Sequence, residues 1–98
     1  MKNVTFCGFD CGVYFHRYAD NDNIAIQLAN EEEGPVATAS VNLGKTLPDN
    51  MVMIKNWSEN QGILDVLVEA GIVEDTGETV QSGFVEANLC KLLVDPTE

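Results

Sequence analysis

The chain has 98 residues, of which 45% are hydrophobic, and its 16 Asp and Glu against 5 Lys and Arg give a formal net charge of -11. This length admits one domain with one core, burying roughly 60 to 70% of the surface that the unfolded chain exposes, and excludes a two-domain enzyme. The apolar fraction is too high for wholesale disorder, and the charge argues against direct binding to DNA, RNA or an anionic membrane face, each of which demands clustered Lys and Arg.

The opening Met1-Lys2-Asn3-Val4-Thr5-Phe6 lacks the apolar stretch of a signal peptide, and no window approaches the ~20 apolar residues of a membrane span, so a cytoplasmic protein is expected. The Asn-x-Ser/Thr matches at Asn3 and Asn56 then have no occasion to be glycosylated. Strands are expected at 4–7 and 11–18, around a turn from Gly8 to Asp10. In the second, Cys11, Val13 and Phe15 share one face, and Tyr14, His16 and Tyr18 the other. Residues 19–23, Ala-Asp-Asn-Asp-Asn, read as a turn, because Asn and Asp side chains bond to nearby backbone and tolerate left-handed conformations.

Ile24, Ile26 and Leu28 alternate with Ala25 and Gln27, and after a turn at 31–35 Ala37, Ala39, Val41 and Leu43 alternate with Thr38, Ser40 and Asn42. These two strands predict a hairpin. A turn at 47–50 precedes Met51-Val52-Met53-Ile54, a run short enough for a strand covered on both faces. One helix is predicted over about residues 59–70, with Ser58 as N-cap, Gln61 completing a capping box and Gly71 as the left-handed residue that ends it. Ile63, Leu64 and Leu67 form its apolar stripe, flanked by Val66 and Ala70, while Gln61, Asp65 and Glu69 face water.

Beyond Gly71 come Ile72-Val73, a turn at 75–77, a short stretch at Thr79-Val80 and a last strand from about Phe84 to Leu93, whose alternation slips near Asn88 and predicts a bulge there. The whole reads as an α+β fold: a mainly antiparallel sheet of about five or six strands with the helix packed on one face. Residues 1–94 form the single domain, and 95–98 a frayed C-terminal tail.

The segment Ala39-x-x-x-x-Gly44-Lys45-Thr46 fits the looser form of a phosphate-binding loop. That chemistry needs a helix starting at the Lys and Thr so that its positive end meets the phosphates. Here a strand pattern runs on through Leu43, and Pro48 follows too closely for a helix to begin, so Lys45 and Thr46 are expected in a turn. Cys7, Cys11, Cys90 and His16 would supply the ligand set of a zinc site, but His16 lies on the strand face opposite Cys11, and buried thiols are the expected state. Asp20-Asn21-Asp22-Asn23 with Glu31 resembles a calcium loop, except that Ile24 and Ala25 stand where a polar ligand and Gly are required. No nucleophile and base are paired in a recognisable signature, so no enzyme, no cofactor and no metal are expected.

The stretches RYADNDNIAIQL, GPVATASVNL, IKNWSENQGILDVLVEAGIVEDTG and SGFVEANLCKLL resemble a family of small acidic proteins of unknown function carried by phages, plasmids and conjugative elements of gut-type bacteria. The similarity covers about residues 11–93 and is most specific around the predicted helix. It implies the setting of a mobile element and carries no active site. A non-enzymatic protein-binding or accessory role is therefore expected, with an unidentified protein partner of basic surface, in an oligomeric state the residues do not fix. In the alternative reading the chain is a DNA mimic that inhibits a host nucleic-acid-binding defence enzyme, presenting carboxylates where phosphates would lie. The acidic surface for either role is drawn from Glu31, Glu32, Glu33, Asp65, Glu69, Glu74, Asp75 and Glu78.

Overall fold

The structure is a computed structural model that describes residues 3–48 and 50–96. Strand β1 (Asn3–Phe6) and strand β2 (Phe9–Arg17) open the chain as a hairpin in which Phe6 pairs with Phe9. Its turn is the two residues between them, not the predicted Gly8 to Asp10. Cys7 at φ 53° and Gly8 at φ 82° both adopt the left-handed conformation that matches the twist of a tight hairpin. The alternation in β2 is as predicted: Cys11 and Val13 are buried, while Tyr14 and His16 are exposed.

Strand β3 (Ile24–Asn30) pairs with β2 and with β4 (Gly34–Thr38), giving a four-stranded antiparallel sheet in the order β1-β2-β3-β4. Asn30 holds the β3–β4 turn, its Oδ1 accepting the backbone N–H groups of Glu32 and Glu33. The predicted strand through Leu43 stops at Thr38, because the backbone changes partner at Ala39. The Ala39 N–H still bonds the Ile26 carbonyl, but the Ala39 carbonyl accepts from Lys55 N–H and the Val41 N–H donates to Met53. Residues 39–41 thus stitch the first sheet to β5 (Met51–Ile54), with Ser40 opposite Ile54.

A second antiparallel sheet follows the order β5-β7-β6, built from β5, β6 (Val73–Ser82) and β7 (Val85–Leu92). The single sheet of five or six strands predicted from the sequence is therefore two sheets of four and three strands. The predicted break at 75–77 is a bulge inside one long strand: Asp75 pairs with Cys90 and Glu78 with Leu89, so Thr76 and Gly77 are the extra residues. The register slip foreseen near Asn88 is real, but the inserted residues belong to β6, on the other side of the ladder.

The helix is shorter than predicted and starts differently. Ser58–Asn60 form a single 3-10 turn, and helix α1 runs over Ile63–Glu69. Ser58 sits at φ 58° and caps nothing. The side-chain cap comes instead from Asn56, whose Oδ1 accepts the Leu64 N–H at 3.0 Å. At the other end the prediction holds: Gly71 at φ 73° closes the helix, with its N–H on the Val68 carbonyl and Ile72 N–H on Leu67, the two bonds of a Schellman motif.

The helix packs against β1 and β6, the strands at opposite ends of the hydrogen-bonded order, rather than lying over the middle of one sheet. It thereby closes the side left open where the sheets are not stitched. Ile63, Leu64 and Leu67 join Val4 and Phe6, Ile26 and Leu28, Val52 and Ile54, and Cys90 and Leu92 in one hydrophobic cluster drawn from both sheets and the helix. Thr97 and Glu98 of the predicted tail, and Asp49 of the predicted 47–50 turn, lie outside the described residues. Among the described residues, no helix is long and apolar enough to cross a membrane.

Candidate functional site

A polar seam joins the turn after β2 to the segment that crosses between the sheets. Asn23 is 6% exposed, and its side chain donates through Nδ2 to the Lys45 carbonyl (2.6 Å) and accepts the Leu47 N–H (2.8 Å). Asn21 donates to Asn42 Oδ1, and Asn42 donates to Asp20 Oδ1. The turn predicted at 19–23 is therefore a clamp on residues 42–47. This explains the segment that spells a phosphate loop: it leaves the sheet at Val41 and is tied down by asparagines, with Lys45 and Thr46 exposed in a loop and no helix beginning at either. The same clamp occupies the Asp20–Asn23 stretch that resembles a calcium loop. Its polar side chains are engaged with backbone and with Asn42 instead of converging on a centre.

Beside the seam, a cleft of about 570 Å3 lies between β4 and the 55–60 segment, lined by Tyr18, Gln27, Thr38, Ser40, Lys55 and Glu59 among others. Its polar groups are largely committed to the fold. The Ser40 Oγ accepts the Ile26 N–H and shares a hydrogen bond with the Tyr18 hydroxyl, both at 2.9 Å, replacing the sheet bond lost when the backbone changes partner. Asn60, 1% exposed, donates to the Thr38 carbonyl on the edge of β4. Lys55 grips Glu59 at 2.6 Å, and this hydrogen-bonded ammonium holds the Glu59 carboxyl down at about 2. A second hollow of about 770 Å3 opens beside the β1–β2 hairpin, where Thr5 donates to Asp10 and Asn30 donates to the Asp10 carbonyl.

The four candidate zinc ligands are not brought together. Cys7 is exposed in the hairpin turn, Cys11 and Cys90 are buried in the core, and His16 stands exposed with its ring 6.3 Å from that of Tyr18. Burial pushes both core thiols up, Cys90 to about 12. Among the described residues, no group of three or more His, Cys, Asp and Glu side chains is placed to hold a metal ion.

All eight candidate carboxylates are exposed. Glu31, Glu32 and Glu33 occupy the β3–β4 turn. Asp65 and Glu69 stand on the wet face of α1, separated by about 6 Å along the axis from their four-residue spacing. Glu74, Asp75 and Glu78 lie along β6, with Lys91 opposite Glu74 and the Asp75 side chain accepting the Gly77 N–H at the bulge. Because α1 packs against β6, five of the eight share two adjacent elements, while the turn group stands on another part of the fold. None of the eight forms an ion pair among the described residues. The polar groups that sequence reasoning missed are Asn23, Ser40, Asn56 and Asn60. Their bonds reach eight to 24 residues along the chain, so no local pattern marks them. No protein-family model, curated protein or solved structure matches this chain.

Proposed function

We propose that this protein acts without catalysis as a binding module that presents carboxylates to the basic face of a partner protein, as an accessory protein of a mobile element. The observation that carries this reading is the state of its acidic groups. Eight exposed carboxylates, none of them ion-paired among the described residues, leave a surplus of negative charge that a cationic surface would neutralise. The cleft supports the same reading, since its serine and asparagines hold the backbone and Glu59 is engaged by Lys55. The mobile-element setting rests on the resemblance of the sequence stretches alone.

The test is affinity capture from a host extract with the wild-type chain and two triple variants, Glu31→Lys/Glu32→Lys/Glu33→Lys and Glu74→Lys/Asp75→Lys/Glu78→Lys. A specific protein held by the wild type and lost from one variant is the expected result. The same set of proteins held by all three chains would refute the role of these carboxylates. The alternative, a DNA mimic that inhibits a nucleic-acid-binding enzyme, draws on the five carboxylates carried by the adjacent elements α1 and β6. It predicts that the captured protein binds DNA and that the wild-type chain displaces that DNA in a strongly salt-sensitive way.

A further inference from the structure

The β6–β7 hairpin is the least covered part of its sheet. β5 pairs with β7 only from Asn88 to Lys91, so the pairs from Val80–Ala87 to Ser82–Val85 form a two-stranded ribbon beyond it. β6 is the edge strand, and Phe84 at the tip is 106% exposed. Two strands alone are marginal in water, and a free edge is a template for another strand. This edge also differs in charge from the rest of the surface. Residues 79–85, Thr-Val-Gln-Ser-Gly-Phe-Val, hold no ionisable side chain in a chain of net charge -11, and the Thr76–Gly77 bulge separates them from Glu74 and Asp75.

We propose that the outer edge of β6 pairs with the same edge of a second copy, the two strands running antiparallel about a two-fold axis at Val80. In that register Val80 meets Val80, Thr79 meets Gln81 and Glu78 meets Ser82, so no like charges stand opposite each other. Charge keeps the axis on this uncharged stretch and away from the body. Moving the axis to Glu78 sets that carboxylate against its own copy, and moving it further toward the body brings Glu74 and Asp75 against Glu78. The free stretch of β7 fails for the same reason, since Glu86 is its centre. Beyond the five paired residues, the register carries Phe84 at each tip to Thr76 of the second copy, where the bulge ends the pairing and the ring gains cover.

The association is read by sedimentation equilibrium of the intact chain from about 1 to 500 μM, at low and at high salt. The wild type is expected to form a dimer that tightens as salt rises, because salt screens the repulsion between two acidic copies. Thr79→Lys/Gln81→Lys sets like charges across the axis twice and should weaken the dimer about tenfold, whereas Thr79→Lys/Gln81→Glu sets opposite charges there and should restore or tighten it. Phe84→Ser should also weaken it, with circular dichroism confirming that each variant is folded. A chain that stays monomeric over the whole range, or two double variants that associate equally, would overturn the proposal. Binding of an added basic strand peptide that the wild type prefers to itself would do so as well.

Discussion

Replacing Asn23 with Ala tests whether the asparagine clamp holds the crossing segment in place. The side chain is 6% exposed and makes two hydrogen bonds, 2.6 Å to the Lys45 carbonyl and 2.8 Å from the Leu47 N–H. On truncation the carbonyl of exposed Lys45 regains water, but the N–H of half-buried Leu47 is less easily rehydrated. With about 1 kcal/mol net for a bond and 1 to 3 for a donor left unsatisfied, the loss is about 2 kcal/mol. For a chain of this size that lowers Tm by about 10 °C. Urea unfolding followed by fluorescence of the single tryptophan, Trp57, measures the loss as a lower midpoint at unchanged slope. Asn23→Asp sharpens the test: it keeps the acceptor for Leu47 but turns an oxygen toward the Lys45 carbonyl, so at neutral pH it should be worse than Ala. Its folded-state pKa is then raised above the unfolded value near 4, so the missing stability is present below about pH 4 and is lost as pH rises through the folded pKa. A loss under about 0.5 kcal/mol for Asn23→Ala, or an Asp variant indifferent to pH, would refute the clamp.

Four further outcomes follow from particular residues. Asn56→Ala should cost about 1 kcal/mol through loss of the cap on Leu64 N–H, while Ser58→Ala should cost little and Ser58→Gly should stabilise, given its φ of 58°; denaturant titration of the three variants separates the two candidate caps. In the folded protein a thiol reagent should modify exposed Cys7 quickly and reach Cys11 and Cys90 only on unfolding. Because Cys90 is pushed up to about 12 from 9.0, its contribution to stability is full below pH 9 and fades as pH rises toward 12, and Cys90→Val should flatten that stretch of the stability profile. Lys45→Ala should leave stability almost unchanged, with ATP and GTP bound by neither chain in equilibrium dialysis; nucleotide binding lost in the variant would overturn the reading of residues 39–46.

Much of the fold was legible because it is written in local period. The alternation of β2, the covered run of β5, the apolar stripe of α1 and the Gly71 ending each depend on residues within a few positions of one another, whereas β3 does not alternate as its pattern predicts, since Ala25 is buried along with Ile24 and Ile26. What the sequence hid are choices made across the chain. The pattern from Ala37 to Leu43 stays period-two while the backbone swaps Ile26 for Met53 and Lys55 as partners, an exchange that only the two meeting sheets dictate. Ser58 and Gln61 spell a capping box, yet Asn56 takes the cap because the chain enters through a 3-10 turn with Ser58 left-handed. The acidic candidates were legible as exposed residues. Their grouping on α1 and β6 was not, since it follows from the helix packing against a strand that comes after it.

That exposed carboxylates bind a basic protein surface is tested by the Kd of the captured partner, over a series of salt concentrations, for the wild type and for whichever triple variant, Glu31→Lys/Glu32→Lys/Glu33→Lys or Glu74→Lys/Asp75→Lys/Glu78→Lys, fails to capture it. Affinity should fall steadily with salt for the wild type, and binding should be at least tenfold weaker for the variant at low salt. Equal affinity for the two chains, with no dependence on salt, would contradict it.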